Sequence, residues 1–194
     1  GPRPARGVLV AAGLSVWSPF NLSFNGARHR LEADDGRPRR AGASAGGHLA
    51  LMVGFSDNYN LENSCKISTK PKAVINLFGI TEIQENSNFL DDTKFFSASN
   101  YVKTWLRNDL DLEDASKKLS PIYLISSNSP KVLTIHGTKD SWVPYDQAIL
   151  LDKKLKDNHQ LLTIENGGHY SFSDDQDKVI RMEISEFLRS TYND

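Results

Sequence analysis

The chain has 194 residues, a formal net charge of −1 and an apolar fraction of 39%, enough to bury the core of one domain. There is no basic stripe, which argues against nucleic acid as a partner, and no apolar run of roughly the 18 residues a membrane-spanning helix needs, so no membrane partner is expected. Cys65 is the only cysteine, which excludes an internal disulfide and leaves the compartment open between cytoplasm and exterior; without zinc-like Cys/His spacing or a Gly-rich phosphate loop, neither a metal nor a cofactor is expected.

Residues 1–41 stand apart. Residues 1–47 hold seven arginines and no lysine, whereas residues 48–194 hold three arginines and thirteen lysines. The segment reads as an atypical N-terminal piece of separate origin, from a truncation, a fusion or a shifted reading frame. A divergent N-terminal half, with Gly7–Ala12 as one surviving strand, and a signal-peptide remnant are the competing readings. Gly1-Pro2, with no initiating Met, suggests a processed start. Arg37-Pro38-Arg39-Arg40-Ala41 reads poorly as a central strand of a parallel sheet, where both faces are buried.

Gly42-Ala43-Ser44-Ala45-Gly46 is a G-x-S-x-G sequence, the nucleophile elbow that turns a strand into a helix with a serine at its tip. Glycines two positions either side of the serine are expected because the turn brings backbones too close for a Cβ. Ala45 would then offer its N–H to an oxyanion. The reading without chemistry is a small-residue turn. Gly47 to Phe55 follows as a helix, in which His48 takes a structural role. Lys72–Phe78 is a strand rich in β-formers, closed by Gly79.

Residues 80–120 are polar and mixed, with helical patches around Ala98–Leu106 and Glu113–Leu119. Val132–Ile135 is a buried strand that runs into His136-Gly137-Thr138-Lys139-Asp140, where His136 reads as a satisfied near-core histidine. Asp140 is either an acid at a strand end or a cap for the helix beginning near Pro144, although Ser141 lies closer to that job. Pro144–Leu155 is that helix, with Ala148, Leu151 and Leu155 on one face. Leu161–Ile164 is a further strand, followed by Asn166-Gly167-Gly168-His169; the bland reading of His169 is a surface loop residue. The last helix, Asp174–Ser190, buries Ile180, Ile184, Phe187 and Leu188. His29 and His159 have no motif around them and read as exposed. Strands alternating with such helices predict an α/β fold, a mostly parallel sheet covered on both faces.

The order serine, acid, histidine, spaced 96 and 29 residues apart, is that of the α/β-hydrolases. From about Gly42 to the C-terminus the chain resembles the esterase/lipase type of that superfamily, near acetylxylan and feruloyl esterases and the prolyl-oligopeptidase-like hydrolases. G-A-S-A-G-G-H-L-A, H-G-T-K-D-S-W-V-P-Y and G-G-H-Y-S-F carry the resemblance. It implies Ser44 as nucleophile, Asp140 as acid, His169 as base and residues 42–194 as the catalytic domain. It also implies that 80–120 forms a lid over the acyl pocket, with Phe95, Phe96, Tyr101 and Trp105 as candidate lining.

The residue types suit the chemistry. A serine hydroxyl needs a base within hydrogen-bond reach, histidine titrates near neutrality, and an aspartate fixes the imidazole tautomer. Three functions follow: a serine esterase on short-chain or carbohydrate-linked esters such as acetyl or feruloyl, a prolyl-oligopeptidase-type peptidase, or a non-catalytic relative with an incomplete oxyanion hole. The last arises because the group's His-Gly-Gly motif and earlier strands do not appear before Ser44. Their lack predicts weak turnover, and self-association through an exposed sheet edge.

Overall fold

The computed structural model describes residues 39–56, 71–93, 100–106 and 111–193. Four parallel strands, β1 (Arg39–Ala43), β2 (Ala73–Leu77), β3 (Lys131–Gly137) and β4 (His159–Ile164), lie side by side in chain order. Between them run α1 (Ala45–Gly54), then α2 (Ile83–Thr93), α3 (Tyr101–Trp105) and α4 (Leu112–Leu119), then α5 (Asp146–Leu155). The long helix α6 (Asp174–Asn193) closes the order.

Side chains of a strand alternate between faces, and the burial follows that period. Ala73, Ile75, Leu133, Ile135 and Ile164 pack with Ile180, Phe187 and Leu188 of α6. Val74 and Val132 point the other way, against Ala50, Leu51 and Phe55 of the α1 side and Leu151 and Leu155 of α5. Parallel crossovers are right-handed, so a sheet built in one direction sends its crossover helices α1 and α5 to one face. Helix α6 is not a crossover and covers the other. The expected parallel sheet with helices on both faces is the fold observed.

Helices α2 to α4 form a third layer around Ile83, Leu90, Val102, Leu106 and Ala115, which also takes in Ile80 and Val143 from the strand ends. A buried polar knot ties this layer down. Gln147 of α5 accepts the N–H groups of Thr81 and Glu82 at 2.8 and 2.7 Å, and Ser120 Oγ accepts that of Ile83 at 2.9 Å. The Glu82 carboxylate in turn accepts from the hydroxyls of Ser116 and Ser120. These bonds satisfy the first N–H groups of α2, which no intrahelical carbonyl can reach. Helix α4 starts at an Asp111 cap, whose side chain accepts from Asp114 N at 3.0 Å, and ends on Lys117 and Lys118; both ends suit the helix dipole.

Several expectations change. Arg39, Arg40 and Ala41 do form strand, paired with Ala73, Val74 and Ile75. Pairing in a sheet is a backbone property, and among the described residues β1 is the outer strand with β2 as its one neighbour. The arginines occupy its start, Pro38 lies just before it, and the end that meets the elbow is Ala-Gly-Ala. Helix α2 leaves little mark in the sequence pattern because half of its inward face is polar, with Asn86 and Ser87 buried beside Ile83 and Leu90. The patch read at Ala98–Leu106 is helical over Tyr101–Trp105, its first two residues lying outside the described ones. Phe95, Phe96, Cys65, His29 and Gly7–Ala12 also lie outside them. No helix among the described residues is long and apolar enough to cross a membrane.

Candidate active site

Each strand of the sheet delivers a residue to the same end. Ser44 follows β1, Phe78 follows β2, Asp140 follows β3, and His169 follows β4. Ser44 sits at φ 54°, ψ −119°, a conformation that costs a non-glycine residue on the order of 1–3 kcal/mol. Its N–H donates to Leu77 O at 2.8 Å and its carbonyl accepts from His48 N at 3.0 Å, so neighbouring elements hold the strained turn in place.

Gly42 is required there for a steric reason, since a Cβ on it would lie 2.0 Å from Gly46 O. The expectation that Gly46 is needed in the same way is not met. A Cβ at Gly46 would meet nothing within 4 Å. What the elbow demands is room at the strand side, where the first turn of α1 folds back over β1.

Ser44 Oγ lies 2.9 Å from His169 Nε2, and His169 Nδ1 lies 2.6 Å from Asp140 Oδ2. The arrangement fits one tautomer. Nδ1–H donates to the carboxylate, which leaves the Nε2 lone pair to accept from the serine hydroxyl. Asp140 is buried, and its other oxygen accepts the N–H groups of Trp142 and Val143, each at 2.9 Å. The cap reading and the acid reading therefore divide between the two oxygens. The cap serves the 141–143 turn, whereas α5 itself begins only at Asp146.

Sequence reasoning gave His136 no part in this cluster. It is fully buried, donates from Nε2 to Val143 O at 2.9 Å, and holds that nitrogen 3.4 Å from Asp140 Oδ2. Its Nδ1 has no partner among the described residues, so the ring is not the satisfied core histidine expected. Burial pushes the Asp140 carboxyl up. The hydrogen bonds from His136 and His169, the charge of His169 and the Val143 N–H outweigh it, and the carboxyl is held well below the usual carboxylate range. The Asp140-x-Trp142-Val143 spacing is an Asx-type turn signal, which marks in sequence the two N–H groups that grip Asp140.

Ala45 is the first residue of α1, so its N–H is among those a helix leaves without an internal acceptor. His48 donates from Nδ1 to Ile80 O at 3.0 Å, and burial pushes its imidazole down. It braces the start of the third layer against α1, the structural role expected of it. Around the mouth stand aromatic rings. The His169 ring lies between Phe78, at 4.8 Å between centroids, and Tyr170, at 4.2 Å. Tyr101 touches Trp105 and Trp142, and its hydroxyl donates to Trp142 O at 3.3 Å. Trp105, Trp142 and Tyr170 remain 38–48% exposed, so this rim is open to a ligand. No three His, Cys, Asp or Glu side chains among the described residues are grouped to hold a metal ion.

The BD-FAE family profile matches residues 26–155, a span that contains Ser44 and Asp140 and begins inside the segment set apart as 1–41. Esterase LipC of Mycobacterium tuberculosis (strain ATCC 25618 / H37Rv) is 31% identical over 160 residues, which is 78% of this chain and 36% of that protein. The chain thus spans little more than a third of the curated relative it matches. Among solved structures, a truncated form of a carbohydrate esterase from gut microbiota is similar with a TM-score of 0.61 and 20% identity, over 79% of this chain and 59% of that one. A puromycin-hydrolyzing peptidase of Mycobacterium tuberculosis is similar with a TM-score of 0.53 and 24% identity, over 68% and 18%. At these identities the likeness to both structures is one of fold, that of the α/β-hydrolases.

Proposed function

Because the chain belongs to the BD-FAE family, a group of esterase-like α/β-hydrolases, we propose that it hydrolyses carboxylic esters of short acyl groups, including those carried on carbohydrates, through an acyl-enzyme on Ser44. The observation that carries this reading is the series of hydrogen bonds from Ser44 through His169 to Asp140, at 2.9 and 2.6 Å.

In the first half-reaction Ser44 Oγ attacks the ester carbonyl carbon while its proton passes to His169 Nε2. Asp140 stays ionised and stabilises the imidazolium that results; the two backbone N–H groups on Oδ1 and the nearby His136 keep it so. The Ala45 N–H bonds the oxyanion as the carbonyl becomes tetrahedral. The C–O bond then breaks, and the alcohol leaves with the proton from His169. In the second half water attacks the acyl carbon, His169 takes its proton, and Ser44 is released as the hydroxyl with the free acid. The aromatic rim of Tyr101, Trp105 and Trp142 borders the alcohol or acyl side of the substrate.

Ser44→Ala should lower hydrolysis of p-nitrophenyl acetate by about 10⁴- to 10⁶-fold, the scale of other serine knockouts. Wild-type labelling by a fluorophosphonate that disappears in the mutant would accompany it. Equal activity in the two proteins would sink the reading, and an unlabelled wild type would point to a non-catalytic relative. Turnover of aminoacyl or dipeptidyl p-nitroanilides in preference to esters would move the same acyl-enzyme chemistry to peptide bonds.

A further inference from the structure

The mechanism uses no side chain from β2, yet β2 carries a fully buried amide. Asn76 is 0% exposed, on the sheet face that also carries Val74, Val132 and Thr134. An amide left unbonded in such a layer is destabilising. Both ends of this one are bonded: Nδ2 donates to Thr134 Oγ1 at 3.3 Å, and Oδ1 accepts from Gly79 N at 3.0 Å.

The Gly79 bond closes the turn in which Phe78 adopts φ 41°, a left-handed conformation that disfavours a bulky residue. Three contacts leave that turn. Leu77 O accepts the N–H of Ser44 at 2.8 Å, Phe78 N donates to Ile135 O at 2.9 Å, and the Phe78 ring lies against the His169 imidazole. One short segment thus touches the nucleophile's backbone and the ring of the base. Asn76 Oδ1 sits at the junction of this turn with α1, since a Cβ on Gly79 or on Gly47 would come within 2.4 or 2.5 Å of it. The far end of the amide is anchored as well. Thr134 Oγ1 lies 2.8 Å from His159 Nε2, and His159 Nδ1 lies 2.8 Å from Asp152 Oδ1 of α5. With His159 neutral, all bonds run one way: Gly79 N–H to Asn76, Asn76 to Thr134, Thr134 to His159, and His159 to Asp152. His159, read from sequence as exposed, has a fully buried side chain and is the relay's hinge between sheet and helix.

We propose that Asn76 is a positioning residue for the Ser44–His169 pair, acting through the 77–79 turn, an inference that rests on the ester-hydrolase reading of that pair. It needs an amide. An ionised carboxylate accepts from Gly79 but cannot donate to Thr134, whereas a protonated carboxyl does both.

The test is Asn76→Asp in the full 194-residue chain. With p-nitrophenyl acetate at pH 8 its kcat should fall about ten- to a hundredfold, the range a misplaced catalytic group produces, with KM changed by less than about twofold. The ratio of mutant to wild-type kcat should climb back as pH falls toward 5 and the buried carboxyl takes its proton; a ratio flat with pH overturns the proposal. Backbone amide exchange gives a readout independent of activity. Ser44 and Gly79 should exchange at least about tenfold faster in the mutant, with Leu133 and Ile135 unchanged. Unaltered exchange at Ser44 and Gly79 overturns the proposal. Faster exchange in a chain whose wild type shows no Ser44-dependent ester hydrolysis supports the positioning role and defeats the ester reading alone. If Asn76→Asp does not fold, Thr134→Val removes the acceptor of the amide together with the donor to His159 and should give the kcat loss and exchange change without recovery at low pH; neither change in that variant overturns the proposal.

Discussion

The two glycines of the elbow are predicted to respond oppositely to one added methyl. At Gly42 the Cβ would lie 2.0 Å from Gly46 O, 2.2 Å from Gly46 C and 2.8 Å from Gly47 N. Ordinary contact begins at 3.4 Å, so 3.4 − 2.0 leaves about 1.4 Å to be found by moving backbone against backbone, with no side chain able to turn aside. Overpacking of this kind costs about 1–3 kcal/mol even where side chains can give, so Gly42→Ala should sit at or above the upper figure. In a chain of this length 3 kcal/mol corresponds to about 6–12 °C in Tm. At Gly46 the methyl enters open space in the first turn of α1, and alanine there saves up to about 0.5–1 kcal/mol of backbone entropy. Gly46→Ala should therefore leave Tm unchanged or raise it by about 1–4 °C. Thermal melts followed by circular dichroism, with urea midpoints as a second measure, separate the two. Comparable destabilisation by both substitutions, or a harmless Gly42→Ala, would show that the close approach of β1 and α1 at the elbow is not what the glycine serves.

Stability should also fall as the solution is acidified below 6.5. His48 and His159 have folded-state values below their ordinary 6.5, in both cases because burial disfavours the charged ring. The unfolded chain then binds protons more readily than the folded one, so the stabilisation is complete above 6.5 and is lost as pH drops through the folded values. Urea midpoints at pH 8 and 5 should show the loss and His159→Gln should reduce it, whereas stability that rises on acidification contradicts the buried neutral imidazoles. A series of p-nitrophenyl esters should peak at acetyl or butyryl, given the mixed polar character of residues 80–120 and the rim that Tyr101 and Trp105 contribute; a maximum at long acyl chains would mean the third layer encloses a lipid-like channel.

Much of the strand and helix order could be read from the chain because the sheet is parallel and buried. Ala73–Leu77 and Lys131–Gly137 are apolar runs with both faces covered, and such runs mark themselves. Strand β1 did not, because its pairing with β2 depends on backbone groups that no side-chain pattern announces. Helix α2 was hidden for the opposite reason: two of its four buried positions are an asparagine and a serine, and their partners, Tyr101 and Asn100, lie on another segment. The same holds for His159, whose contact with Thr134 spans 25 positions, and for Gln147, which caps residues 66 and 65 positions away. Ser44, Asp140 and His169 were legible as a set because glycine-rich loops at strand ends have few alternative uses. Phe78 was not, since nothing in Leu77-Phe78-Gly79 announces a left-handed phenylalanine.

The spatial order of the strands has a temporal meaning. Ser44 and His169 are 125 positions apart, and each strand is laid beside the one made before it, so the serine leaves the ribosome long before its base exists. At typical rates of synthesis the interval is roughly 6–25 s. Throughout it, an unpartnered hydroxyl on a half-built sheet is chemically inert. His169 meets Asp140 and Ser44 only when β4 docks, so on the function proposed above the onset of hydrolysis by a newly made chain would report the joining of the four described strands.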